Sequence, residues 1–159
     1  MTPTAQDLPT TQPDINIVDL VLQNGMQFQA VNARGATVVL DAAPPGGEGA
    51  GMTPMELVLA ALAGCTAMDV ISILRKKRLT VTDYRLRIDG ERVTAHPKPY
   101  RAITIRHIVT GHDVAEEAVR QAVALSVEKY CPVHAMLRST VDISTTFEVR
   151  SSEPVRTAS

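Results

Sequence analysis

Residues 57–68 carry only apolar or small side chains, and the segment around them, 53–78, reads as one helix. Thr53 and Glu56, three residues apart, form a capping box, and Pro54 stands where a missing N–H costs nothing. The run ends on Arg75, Lys76, Lys77 and Arg78, cations that complement the negative end of the helix dipole. A helix without a polar face must be wrapped by other elements, so the remainder of the chain has to be arranged around it. Ala60, Ala61, Ala63, Gly64 and Ala67 let neighbouring backbone come close, and the one reactive side chain among them is Cys65. A buried cysteine is most often inert packing.

The flanking segments supply a sheet. Residues 15–23, 27–33 and 36–41 read as three short strands, joined by Asn24-Gly25 and by Arg34-Gly35 into an antiparallel meander. The Pro- and Gly-rich stretch 42–51 feeds the helix as a loop, either a plain connector or a cover for a site. After the helix, 81–93 alternates, with Tyr84, Leu86 and Ile88 on one face and Arg85, Arg87 and Asp89 on the other, and Ile103, Ile105, His107 and Val109 repeat the pattern. His107 falls in the apolar phase and reads as a hydrogen-bonded core histidine. Asp113 with Glu116 marks a second N-cap, opening an amphipathic helix through about Lys129. Cys131-Pro132 starts a short third helix, and the alternation from Val141 to Arg150 is a last strand. Three strands, a helix, two strands, two helices and a strand make an α+β fold with an antiparallel sheet around a long central helix. We expect a flexible leader at 1–13, one domain at 14–150 and a polar tail at 151–159.

Charge and composition narrow the function. A net charge of -1 and 3% aromatic residues leave neither a field for phosphates nor rings for bases, so nucleic acid is not an expected partner. The apolar run is about a dozen residues, short of the ~20 that span a bilayer, and no secretory signal opens the chain. A cytoplasmic protein, not membrane-bound and without cofactor, follows as the expectation. Its two cysteines are then reactive, ligating or core rather than a structural bridge.

Cys131 adjoins a helix N-terminus, where free N–H groups and the dipole favour a thiolate. Cys65 is enclosed in mid-helix, where desolvation raises a thiol pKa, and Asp69 on the same face opposes ionisation further. Cys65, Cys131 and His134 could together hold zinc, but a closed structural site usually has a tight cysteine pair and four ligands, so no metal is expected.

Residues 54–65, followed far along the chain by Tyr130-Cys131-Pro132-Val133-His134, resemble the OsmC/Ohr family of thiol-dependent hydroperoxide reductases. The likeness is to its OsmC-like branch in particular, and runs from about Ile15 to Arg150. It implies an intertwined homodimer with two interfacial sites, in which Cys65 attacks the peroxide oxygen and Cys131 resolves the sulfenic acid as a disulfide. An external dithiol would supply the electrons, and the substrate would be a small apolar hydroperoxide. The family places a Glu directly after the Pro that opens the central helix, where this chain has Met55. Glu56 lies about half a turn from Cys65, at ~100° per residue, and is better read as the capping residue. The family's thiolate-holding Arg has its nearest counterpart in Arg34, which reads equally as a turn arginine in water. Met55, Met68 and His134 are the expected pocket residues, with Met52 and Met136 nearby. The alternative is a non-catalytic OsmC-like protein that binds a small apolar ligand at the dimer interface.

Overall fold

The computed structural model describes residues 15–152, so the leader read over 1–13 and the tail beyond 152 lie outside the described residues. The chain forms two compact units, one ending at Pro54 and the other beginning at Met55, within the segment read as one domain.

In the first unit β1 (Val18–Asn24), β2 (Gln27–Asn32) and β3 (Thr37–Leu40) form the expected antiparallel meander, in the order β1-β2-β3. Gly25 makes the first turn at φ 54°, a conformation that costs glycine nothing. The Gly-rich loop after β3 is wound around one carboxylate. Asp41 accepts N–H groups from Ala42 at 2.7 Å, Glu48 at 3.2 Å and Ala50 at 3.0 Å. These bonds, the one from Ala50 foremost, hold its carboxyl below the usual carboxylate range despite burial. Along β1 every residue is exposed, Val18, Leu20, Val21 and Leu22 included.

The second unit is built on α1 (Pro54–Lys76), against which β4 (Thr80–Arg92), β5 (Tyr100–His112), α2 (Glu116–Leu125), α3 (Pro132–Leu137) and β6 (Asp142–Ser151) are arranged. Its sheet has the order β4-β5-β6. The β4–β5 pair is antiparallel, whereas β6 runs parallel to β5, from Ala102↔Asp142 to Gly111↔Ser151. Periodicity shows which face of a strand is buried but not its direction, so this parallel pair is a departure from the purely antiparallel reading. Parallel pairing needs a crossover, and α2, a π-helical turn (Ser126–Tyr130) and α3 provide it.

Along α1 the fully buried residues are Leu62, Thr66, Val70 and Leu74, spaced by four. They divide between two apolar clusters. One joins Val70 and Leu74 to Val109, Val119, Ala122 and Val123; the other joins Leu62 to Tyr100, Ile103, Ile105 and Cys131. Among the described residues the other faces of the helix are covered only in part, and Met68 is 72% exposed. The helix has an 18-residue window of mean hydropathy 2.2, with 22% of it buried, so by length and composition alone it is long and apolar enough to cross a membrane. The window takes in polar residues beyond the apolar run read from the sequence, and the core helix of a soluble protein passes the same test.

Two local readings also change. Asp113 does not cap α2: it sits at φ 50°, and the N-cap is Ala115, which has no side-chain bond to give. His107 is fully buried as expected, and its Nδ1 lies 2.6 Å from the Tyr84 hydroxyl. Its other ring nitrogen, Nε2, has no partner among the described residues, and burial pushes the histidine's pKa down to about 4.

Candidate functional site: a dithiol with a carboxylate

Two cysteines remote in sequence meet where α1 passes the start of α3. The Cys65 and Cys131 sulfurs and a carboxylate oxygen of Asp69 all lie within 4.8 Å of one another. Each is positioned by local structure. Cys65 and Asp69 share a face of α1 because four residues make about one turn. Cys131 is the N-cap of α3: its φ of -75° and ψ of 103° leave the helix, Pro132 follows at the position that needs no N–H, and its sulfur accepts the His134 N–H at 3.4 Å. The Thr66 hydroxyl donates to the same sulfur at 3.5 Å.

The π-helical turn ahead of Cys131 completes the arrangement. Its wide hydrogen bond runs from the Cys131 N–H to the Ser126 carbonyl, 2.9 Å. Ser126, itself buried, donates its hydroxyl to Asp69 Oδ2 at 2.9 Å. One residue therefore ties the backbone of Cys131 to the carboxylate beside Cys65. Turns of this kind inside helical segments are often found at functional sites.

The Cys65 thiol is in an environment that opposes its ionisation. Burial pushes its pKa up to about 11, with Cys131 next in effect and Asp69 adding to it, while a hydrogen bond from the Val133 N–H acts the other way. Cys131 is 3% exposed and Cys65 is half-buried; both are free thiols.

The other residues named from the sequence are distributed unevenly. Met55 packs into the Leu62 cluster with Cys65 and Cys131, and its carbonyl accepts the Tyr100 hydroxyl at 2.8 Å. His134 is 5% exposed, contributes its backbone N–H to Cys131, and keeps Nδ1 without a partner among the described residues; burial, then Arg138, lowers its pKa. It is not the third donor beside the thiols; Asp69 is. Met52, Met68 and Met136 are 52%, 72% and 70% exposed. Arg34 belongs to the first unit, in the β2–β3 turn, where its backbone N–H donates to Asn32 Oδ1 at 2.9 Å. Sequence reasoning passed over Thr66 and Ser126. Thr66 had a visible signal, a hydroxyl next to Cys65 in an apolar run, whereas nothing in the sequence linked Ser126 to Asp69.

A cavity of about 300 Å³ opens beside the carboxylate, lined by Asp69, Ser72, Ile73, Lys76, Lys77 and Tyr130. Lys77 is engaged by Gln121 at 2.9 Å.

A family model described as OsmC-like protein matches residues 46–146. Protein YhfA of Escherichia coli (strain K12) is 40% identical over 126 residues, which cover 79% of this chain and 91% of that protein. Among solved structures, a hypothetical protein from Aquifex aeolicus VF5 superposes with a TM-score of 0.79 at 33% identity, covering 89% of this chain and 100% of the other. A structure from Legionella pneumophila, described as an organic hydroperoxide resistance protein OsmC and predicted redox protein, shares the fold with a TM-score of 0.65 at 20% identity over 87% of this chain and 100% of its own. The family matched is the one the two cysteine segments resemble, and the chain belongs to the OsmC-like proteins.

Proposed function

We propose that the protein is a thiol-dependent peroxidase that reduces organic hydroperoxides through Cys65 and Cys131. The observation that carries the reading is the meeting of the two sulfurs within 4.8 Å from separate elements. Cys65, fixed in mid-helix, attacks the outer peroxide oxygen; the O–O bond breaks, the alcohol leaves after protonation, and the thiol becomes a sulfenic acid. Cys131, at a helix start behind a π-helical turn, then displaces water to form the disulfide, for which the Cα atoms must come within about 7 Å. An external dithiol restores both thiols by exchange. On the family resemblance alone, Arg34 is assigned the task of holding the thiolate. Met55, Met68 and His134 form the substrate pocket. The working form is a cytoplasmic homodimer in which a second copy covers the open faces of α1; the fold shared with the Legionella hydroperoxide resistance protein is consistent with this family-level chemistry.

One observation favours a second reading. With a thiol pushed up to about 11 and Met55 in place of the family's Glu, Cys65 suits a non-catalytic protein that holds a small apolar ligand at the same interface. Stopped-flow reduction of cumene hydroperoxide with excess dithiol decides between them. Turnover that vanishes in Cys65→Ser, with Cys131→Ser trapping a dimedone-reactive sulfenic acid, is expected for the peroxidase. Equal background rates in wild type and Cys65→Ser would overturn it.

A further inference from the structure

The triad of donors at the meeting point has a chemistry that peroxide reduction does not use. Asp69 takes no step in that cycle and disfavours the thiolate of Cys65, yet it is held in place by a buried serine hydroxyl at 2.9 Å. Two sulfurs and one carboxylate oxygen within 4.8 Å make a compact set of mixed softness, suited to a borderline cation. In a tetrahedral zinc site Zn–S bonds of about 2.3 Å place two sulfurs a little under 4 Å apart, so the donors need to close by only about 1 Å at most. The hydroxyl behind the carboxylate and the Thr66 and His134 donors behind Cys131 are the kind of outer support that orients metal ligands. Asp69 also lines the open cavity, which gives an ion a way in.

We propose that Cys65, Cys131 and Asp69 form a three-ligand binding site for a zinc-like divalent cation, with a fourth position left for water or another small ligand. Binding converts two thiols into thiolates and releases two protons; the metal is neither oxidised nor reduced. The two thiolates match the two positive charges of the cation, and Asp69, otherwise a carboxylate beside neutral thiols, gains a direct positive partner. Occupancy ties up both sulfurs, so the metal-bound form neither attacks a peroxide nor forms a disulfide. The metal site itself does not rest on the peroxidase reading; only the inhibition does.

The test titrates reduced full-length protein with zinc under anaerobic conditions against a chromogenic chelator. One equivalent per chain is expected, with about two protons released and both cysteines protected from alkylation. Cobalt in place of zinc is expected to give a near-ultraviolet charge-transfer band of two-thiolate strength. Asp69→Asn weakens binding about tenfold or more, and Ser126→Ala weakens it by a smaller but measurable factor. Because Asp69→Asn keeps the shape of the side chain, a melting curve like that of wild type separates lost ligation from lost folding. The charge-transfer band and proton count of the unsubstituted protein stand whether or not the variant folds. Absence of one-to-one binding tighter than about 10 μM, or zinc affinity unchanged in a folded Asp69→Asn protein, overturns the proposal. Hydroperoxide turnover is measured separately: its absence with zinc binding intact removes the peroxidase and leaves the metal site, and the converse leaves only the peroxidase.

Discussion

His107 shows how much one buried side chain can make of pH. Its ring is enclosed, with Tyr84 on one nitrogen and no partner among the described residues on the other, and its pKa is pushed down to about 4 against an ordinary 6.5. The folded chain therefore refuses a proton that the unfolded chain accepts, so its contribution to stability is complete above about pH 6.5 and is lost as pH falls toward 4. The span sets a ceiling of about 3 kcal/mol. Denaturant melts at pH 7.5 and pH 5 are expected to show a clear loss for wild type, and a flatter profile for His107→Gln; equal slopes would remove the histidine as cause. The sequence identified this residue as core from its strand phase, but gave no means of naming Tyr84 as its partner, since that contact joins two strands. Cys65 and Cys131 were legible for a related reason: a thiol in a run of small residues and a thiol before a proline each declare their local setting. Asp69 was legible only by halves. Its place on the face of Cys65 follows from helical spacing, whereas the serine that steadies it arrives from the crossover.

Among elements, α1 and the loop before it make opposite demands. The helix is secured on one side by Leu62, Thr66, Val70 and Leu74, and Leu62→Ala is expected to cost about 2–5 kcal/mol in thermal or chemical denaturation, with the lower end if the cluster around Tyr100 and Ile103 relaxes into the gap. Residues 42–51, by contrast, owe their shape to Asp41, whose carboxylate replaces a hydrophobic core with three N–H bonds. Asp41→Ala leaves these donors without their acceptor, and limited proteolysis should find new cleavage within 42–51; an unchanged digest would mean that the loop holds itself. Element boundaries were readable wherever a cap, a glycine turn or an alternating strand marked them. They failed at Asp113, where a residue of the right type stands two positions ahead of the actual cap, and at the end of α2, because a π-helical turn has no composition of its own. The direction of β6 was hidden for the same reason: alternation reads identically from either end.

At the scale of the whole molecule, the open face of α1 at Met68 and the exposed apolar residues of β1 call for cover that the described residues do not provide. A second copy provides it in the proposed dimer, and sedimentation velocity at micromolar concentration is expected to find that dimer in wild type. Met68→Lys, which puts a charge on the open side of the helix, should weaken it about tenfold or more; a wild-type protein that sediments as a compact monomer would refute the assembly. The parallel pairing of β5 with β6 has a consequence in time. The crossover it requires carries Cys131, which is anchored against α1 through Thr66 and through the Ser126–Asp69 bond, contacts between segments far apart in the chain. Such long-range closure is slow compared with the local winding of a helix, so during synthesis or refolding Cys65 spends its early life with no sulfur beside it. The meeting of the two thiols thus follows the winding of α1, and pulse alkylation during refolding would read it as a clock for the docking of the crossover on that helix.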